Sequence, residues 1–453
     1  MKSGIFGGEK LPAGARRVIL AGFIGFAVDF FDIYLPAMVL TPVMVYFEPS
    51  GLSATTTTTI YYFTVATTLL GRPCGAIIFG HWADRIGRRR TTMISIAGFG
   101  TLTALVALIP GYATIGLWSL ILLLALRFIG GVFMGGEYTS NNTLALEMVP
   151  KERRGFVGGL LQGAFPLGFA AVSLVATVML ALTTKEQYAD WGWRLPFLLG
   201  CALAFAFLFY YRTVPESAMW QAAEKSEAPL KEVLSGSHLR NLAQVFVMMS
   251  GFWLVGQPSN VLPSIMSQHL HVPSEMTTSG FFWASVVLFF GFVSYGLIGQ
   301  MMGRRRAVMM AGAIILVVSS LLYYAMVAHA TAGGSPLGTT VLAAAFHISV
   351  LAPWGIVTTY ICERFPTRVR ASGYGIGYSL AIIIPSFSGI YLLWLGKVMP
   401  YLFAPIVLVV LAALLMIVGA AIGPETREVE LHLPDLGRAR DPVPVRLVTP
   451  HSA

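Results

Sequence analysis

The stretch GHWADRIGRRR, residues 80–90, returns 216 residues later as GLIGQMMGRRR, residues 296–306. Gly80, Gly87, Arg88, Arg89 and Arg90 match Gly296, Gly303, Arg304, Arg305 and Arg306. The next polar connection keeps the same offset: Glu147, Pro150 and Arg154 match Glu363, Pro366 and Arg370. Two separate connections sharing one offset make the second half of the chain a copy of the first. The copies also differ, since Asp84 and Arg85 become Gln300 and Met301. Arginines placed only to set topology account for the cations. They do not account for the glycines, the repeated Glu-x-x-Pro-x-x-x-Arg, or Asp84 amid so much positive charge.

The connections punctuate a very apolar chain. Its 453 residues are 56% hydrophobic and 11% charged, with a mean hydropathy of +0.73. Soluble domains carry about a quarter charged residues, so this composition belongs to an integral membrane protein. A spanning helix needs about 20 apolar residues. Runs near 17–45, 56–79, 91–111, 115–146, 154–182 and 191–212, then 241–268, 276–301, 307–330, 338–362, 371–396 and 402–423, give twelve. None alternates as a lipid-facing barrel strand does, so the predicted fold is all-α. The first run is too long for a cleavable signal peptide and lacks a small-residue cleavage site after it. Cys74, Cys201 and Cys362 are scattered through apolar runs and suggest neither a disulfide framework nor a metal cluster. No metal or cofactor is expected.

Lys and Arg orient the bundle. Arg16 and Arg17, Arg85 to Arg90, Lys151 to Arg154, Arg212 to Arg240, Arg304 to Arg306, and Arg364 to Arg370 fall in alternate connections. The other connections hold Lys185, Arg194 and Lys397. By the positive-inside rule both termini are expected in the cytoplasm. The net charge of +9 then reflects topology and not nucleic-acid binding. The expected division is an N-terminal six-helix half, 1–212, a cytoplasmic linker, 213–240, a C-terminal half, 241–423, and a mostly unstructured tail, 424–453. An even number of helices per copy makes the repeats parallel, related by an axis along the membrane normal, an architecture found among transporters.

On these residues the chain resembles the major facilitator superfamily, whose signature loop between helices two and three GHWADRIGRRR resembles. Within it, GRPCGAIIFGHWADRIGRR, RFIGGVFMGGEYTSNNTLALEMVPKERRGF and ERFPTRVRASGYGIGY are similar to the metabolite:proton symporters, carriers of dicarboxylates, tricarboxylates, shikimate, or proline and betaine. The resemblance spans nearly all of residues 17–423. DFFDIY, residues 29–34, resembles that family's helix-one pattern, with Asp29 where a Glu is expected.

Ionisable residues inside a span are expensive and usually face a cavity or a partner. Asp29 and Asp32 on helix one, three residues apart, share one helix face. Arg127 and Glu137 lie on helix four. At about 1.5 Å rise per residue, Asp32 and Arg127 fall at comparable depth, with Asp29 and Glu137 nearer the cytoplasm. The expectation is an Asp32–Arg127 pair for proton coupling and a second carboxylate pair, Asp29 with Glu137. Arg127 can instead take a substrate carboxylate directly. The pairing resembles sugar porters, in which a helix-one aspartate faces a helix-four arginine. Arg72 lies about two turns from the cytoplasmic end of helix two, where it can snorkel to the interface, and a packing or gating role is as open to it as a substrate contact.

Candidate substrate contacts are Tyr34, Arg127, Tyr138, Asn141, Gln162, Trp253, Gln257, Asn260, Trp354 and Tyr378, with Pro258 placed to break helix seven and free carbonyls. Ordinary packing competes for each aromatic. Asn142, His347, Tyr360 and Tyr374 are further candidates, His347 more as a packed neutral ring than as a proton relay. Asp84, Arg85, Arg88, Glu147, Arg154, Glu363 and Arg370 are candidate gating residues, pairing when the bundle closes at the cytoplasmic side. The expected protein is a monomeric inner-membrane carrier, importing a small organic acid, a carboxylate, together with protons. A zwitterionic osmolyte such as proline or betaine is the alternative substrate. A non-transporting receptor on the same fold is the alternative of another class, disfavoured by the lack of an appended soluble domain. No catalytic set is visible, so no enzyme is expected.

Overall fold

The computed structural model describes residue 11, residues 14–49 and residues 54–431. Among them there is no strand. Eleven helices are long and apolar enough to cross a membrane: α1 (Ala15–Leu40), α3 (Arg88–Ala107), α4 (Trp118–Glu147), α5 (Lys151–Leu182), α6 (Arg194–Tyr211), α7 (Gly236–Gln268), α8 (Glu275–Met302), α9 (Arg304–Thr331), α10 (Pro336–Glu363), α11 (Thr367–Leu395) and α12 (Tyr401–Ala421). The twelfth predicted span is α2 (Ala54–Ile86), 33 residues long. Threonines 55–59 and Arg72 dilute its apolarity. The tight joints of the repeated loops are made by Gly87 and Gly303, with φ of 109° and 101°. Only glycine takes such angles without strain. A Cβ at either would also collide with a carboxylate, Glu216 or Glu425.

Close helix packing follows from small residues. Lipid gives helices no hydrophobic drive to associate, so backbones approach where side chains vanish. Gly71 and Gly75 of α2 sit against the carbonyls of Phe128 and Val132, and Gly131 and Gly135 of α4 against those of Thr68 and Arg72. The same device joins the two halves: Gly155 and Gly159 of α5 face Gly296 of α8, and Gly80 of α2 faces Ser372 of α11. Side chains such as Leu182, Phe209 and Val398 remain exposed on the outside, as a bilayer-facing surface requires.

The irregular backbone is not where Pro258 predicted it. α7 runs unbroken through Pro258 and Pro263. The breaks fall instead in α10, tightened to a 3₁₀ turn over Ala352–Ile356 at Pro353, and in α11, which leaves α-geometry at Leu380–Ile382. α1 widens to a π turn at Pro36–Leu40. Proline removes a backbone donor and crowds the preceding turn, so a kink appears where neighbouring groups can satisfy the freed carbonyl. Residues 213–235 hold two short helices, Ala218–Ala222 and Pro229–Val233. The expected tail is described through residue 431, and its remainder lies outside the described residues.

Candidate functional site

Two buried ion pairs stand side by side in the first half. The guanidinium of Arg127 (Nη1) lies 3.0 Å from Asp32 Oδ2, and its Nη2 donates to the Asp32 carbonyl at 2.9 Å. Its Nε donates to Thr68 Oγ1 at 3.1 Å, and the Thr103 hydroxyl donates to Asp32 Oδ1. The depth matching of α1 and α4 therefore pairs the residues expected. Every nitrogen of Arg127 is engaged here, with the Asp32 carboxylate, the Asp32 carbonyl and the Thr68 hydroxyl.

The second pair is different from the one expected. Asp29 Oδ2 takes Arg72 Nη2 at 3.1 Å, with both side chains almost completely buried. Arg72 does not snorkel: it turns inward from α2, and its guanidinium lies 4.5 Å from the centre of the Tyr138 ring. A buried carboxylate without a counter-charge is very costly, so the nearest cation on a facing helix wins over the like-charged Glu137. Glu137 instead sits against Gly25, one turn from Asp29, and its Oε1 accepts from Asn141 Nδ2 at 2.7 Å. Asn141 also donates to the Ala21 carbonyl and accepts from Tyr211. It thus supports Glu137 from behind. Among the described residues, Asp29 Oδ1, Glu137 Oε2 and Arg72 Nε are buried with no hydrogen-bond partner.

Facing this ionic wall, the second half presents aromatic rings. Trp253 and Trp354 meet edge to face at 4.8 Å, and Tyr378 lies 5.4 Å from Trp253 and 5.0 Å from Tyr138 of the first half. The indole N–H of Trp253 donates to the Tyr378 carbonyl at 2.7 Å, a group released where α11 leaves α-geometry. Among the described residues, Tyr138 Oη, Gln162 Nε2 and Trp354 Nε1 are buried without hydrogen-bond partners. Gln257 bridges the Trp253 carbonyl and Ser388. Asn260 is exposed and bonds to none of this cluster. Tyr34 packs into a separate aromatic group with Phe30, Phe165 and Phe169. Asn142 donates to Tyr374, and Ser259 bonds His347 Nδ1 at 2.6 Å.

At the end carrying the repeated loops the halves interlock. Glu147 receives Arg88 of its own half (3.2 Å) and Arg370 of the other (2.7 Å). By the same offset, Glu363 receives Arg304 (3.3 Å) and Arg154 (3.8 Å). Asp84 accepts the backbone N–H groups of Ala371 (3.1 Å) and Ser372 (2.9 Å) and the Ser372 hydroxyl (2.7 Å), while pairing with Arg88 at 3.0 Å. It caps the start of a helix in the opposite half. Gln300, its counterpart, accepts the Gly155 N–H at 3.0 Å. Arg85 is exposed and takes no part.

Two residues of this end escape a reading of the loops. Glu216 accepts the N–H groups of Arg88 and Arg89, and Glu425 those of Arg304 and Arg305. α3 and α9 each begin with three arginines at the positive end of the helix dipole, where free N–H groups demand an anion. The signal was present as Pro-Glu-Ser, 215–217, and Pro-Glu-Thr, 424–426, one after each half. Glu216 is raised above its ordinary pKa by burial, an effect that the N–H groups and the Arg88 charge oppose. Past Glu425 the chain crosses to the first half: Val429 accepts from Arg154 at 2.7 Å, and Lys151 lies 3.0 Å from Glu430 and 3.7 Å from Glu428.

Residues 18–381 match the Major Facilitator Superfamily. The chain is 29% identical to the inner membrane metabolite transport protein YhjE of Escherichia coli (strain K12), over 83% of this chain and 87% of the relative. It is 28% identical to the shikimate transporter of the same strain, over 82% and 85%. Among solved structures, the proton:xylose symporter XylE bound to 6-bromo-6-deoxy-D-glucose superposes with a TM-score of 0.74 at 19% identity, covering 92% of this chain and 97% of that one. At that identity the likeness shows the fold.

Proposed function

Given that the chain belongs to the major facilitator superfamily, we propose that this secondary transporter imports a small organic acid together with protons. It is a multi-pass membrane protein, and its relatives are transporters and not enzymes. The observation that carries the coupling is the paired arrangement Asp29–Arg72 and Asp32–Arg127, with Glu137 holding one unpartnered oxygen beside them. Protonating Asp32 frees Arg127 from its carboxylate. Protonating Asp29 frees Arg72, whose charge is then available to a substrate carboxylate. Gln162, Tyr138 and Trp354 offer unpartnered donors to the same anion.

The basic end is the cytoplasmic end in this reading, with residues 1–212 and 241–423 as the rocking halves, 213–240 as linker and the termini inside. The cross-half pairs of Glu147, Glu363 and Asp84 then hold the cytoplasmic side shut and part when it opens. Both halves act within one chain, so a monomer suffices. A zwitterionic osmolyte is the second reading, favoured by the rings of Trp253, Trp354 and Tyr378, since aromatic faces attract quaternary ammonium groups.

Uptake into proteoliposomes, with a panel of labelled mono-, di- and tricarboxylates, proline and betaine, tests both. Accumulation of a carboxylate that needs an inward proton gradient is the expected result. Uptake indifferent to the gradient would overturn proton symport, and accumulation of betaine alone would transfer the assignment to the osmolyte.

A further inference from the structure

The repeat leaves a groove beside the first turn of each arginine-rich helix, and the two grooves are finished differently. Beside α3 the groove is plugged. A Cβ at Gly87 would lie 3.2 Å from the Trp220 ring, whose indole N–H donates to the Asp84 carbonyl at 2.8 Å, and Lys225 covers that ring at 3.4 Å. Beside α9 no such plug exists among the described residues. The corresponding chain, after Arg427, leaves for Lys151 and Arg154. What remains is a cavity of 490 Å³ walled by Met302 and Met309 and rimmed by Arg305, Arg306 and Arg427.

Charge at the rim is only partly spent. Glu425 and Glu428 line the same cavity. Glu425 is occupied by the backbone N–H groups of Arg304, Arg305, Thr426 and Arg427, and Glu428 faces Lys151 and Arg427. Arg305 donates through Nη2 to the Ala421 carbonyl, but its Nε is buried without a partner among the described residues. Arg306 is exposed and, among the described residues, has no hydrogen bond or ion pair. Met301 and Met302, at the end of α8, expose apolar surface next to these cations.

We propose that this groove binds the phosphate headgroup of an anionic phospholipid, with Arg305 and Arg306 as the phosphate ligands and Met302 and Met309 against the first acyl carbons. Guanidinium groups take phosphate oxygens in bidentate geometry. Basic pockets between helix ends at the membrane surface are suited to such headgroups. Two cations next to exposed methionines favour a lipid over a free phosphate ion, which would gain nothing from the apolar wall.

The test is native mass spectrometry of the full chain in detergent, titrated with dioleoyl-phosphatidylglycerol and, in parallel, with dioleoyl-phosphatidylcholine. The wild type is expected to retain one phosphatidylglycerol at least tenfold more strongly than phosphatidylcholine. Arg306→Ala, whose side chain has no partner to lose, should remove that preference. Met309→Trp, which fills the groove as Trp220 fills its counterpart, should do the same. Trp220→Ala should open the first groove and add a second retained phosphatidylglycerol. Unchanged retention in both Arg306→Ala and Met309→Trp would overturn the proposal. Displacement of the lipid by millimolar inorganic phosphate would overturn it in favour of a soluble phosphate anion.

Discussion

The two halves of the bundle share a backbone plan but divide the work between charge and apolar surface. At the repeat offset, Arg72 corresponds to Leu288, Arg127 to Ala343 and Glu137 to Pro353. Tyr138 corresponds to Trp354, and Gln162 to Tyr378. The first half therefore carries every buried charge of the central site, while the second keeps a wall of rings. The grouping is physically sensible. Buried charges are tolerable only when paired, and pairing within one half survives a rocking motion that a pair spanning both halves would not. At the basic end the arrangement is reversed: there the carboxylate of each half reaches an arginine of the other.

Asp32→Asn cuts deepest into this comparison. It should abolish gradient-driven accumulation in proteoliposomes while leaving counterflow exchange, because a neutral amide cannot release and rebind a proton. If accumulation persisted, the charged half would be a scaffold, with coupling located elsewhere. Arg72→Leu gives the first half the residue of the second and strands Asp29. It should cost about 3–5 kcal/mol, read as a large drop in the thermal midpoint of the detergent-solubilised protein. Adding Asp29→Asn should recover most of that stability without restoring transport. A double variant no more stable than the single would show that Arg72 supports the fold through another contact.

Asp84→Gln makes the first loop resemble the second. It removes a charged cap and its Arg88 pair, an effect of about 1.5–3 kcal/mol on the closed arrangement. Spin labels across the α2–α11 contact should report a more than tenfold shift toward the open population. Equal populations in the two proteins would reduce the Asp84–Gln300 difference to a neutral one. Lys151→Ala should have the smallest effect, since its partners Glu428 and Glu430 are mostly exposed. Half a molar salt should erase even that, as a thermal-shift series would register.

Much of this protein was determined by its sequence alone. Span length and hydropathy dictated the helices, and the repeat dictated parallel halves. The steady rise of a helix placed Asp32 and Arg127 at one depth, so their pairing was legible from residue counts. What counting cannot supply is the rotation of each helix about its axis and the identity of its neighbour. Those depend on where glycines let backbones touch, as between Gly75 and Val132, and only the folded bundle settles them. For that reason Arg72, which residue counts left between snorkelling, packing, gating and a substrate contact, turns inward to Asp29, and Glu137 is left beside the pair rather than within it. For the same reason Glu216 and Glu425, plain residues of a linker and a tail, become the anions that α3 and α9 require. Depth is a property of one helix and is written in its sequence; partnership belongs to the packing of several, and tertiary structure alone decides it.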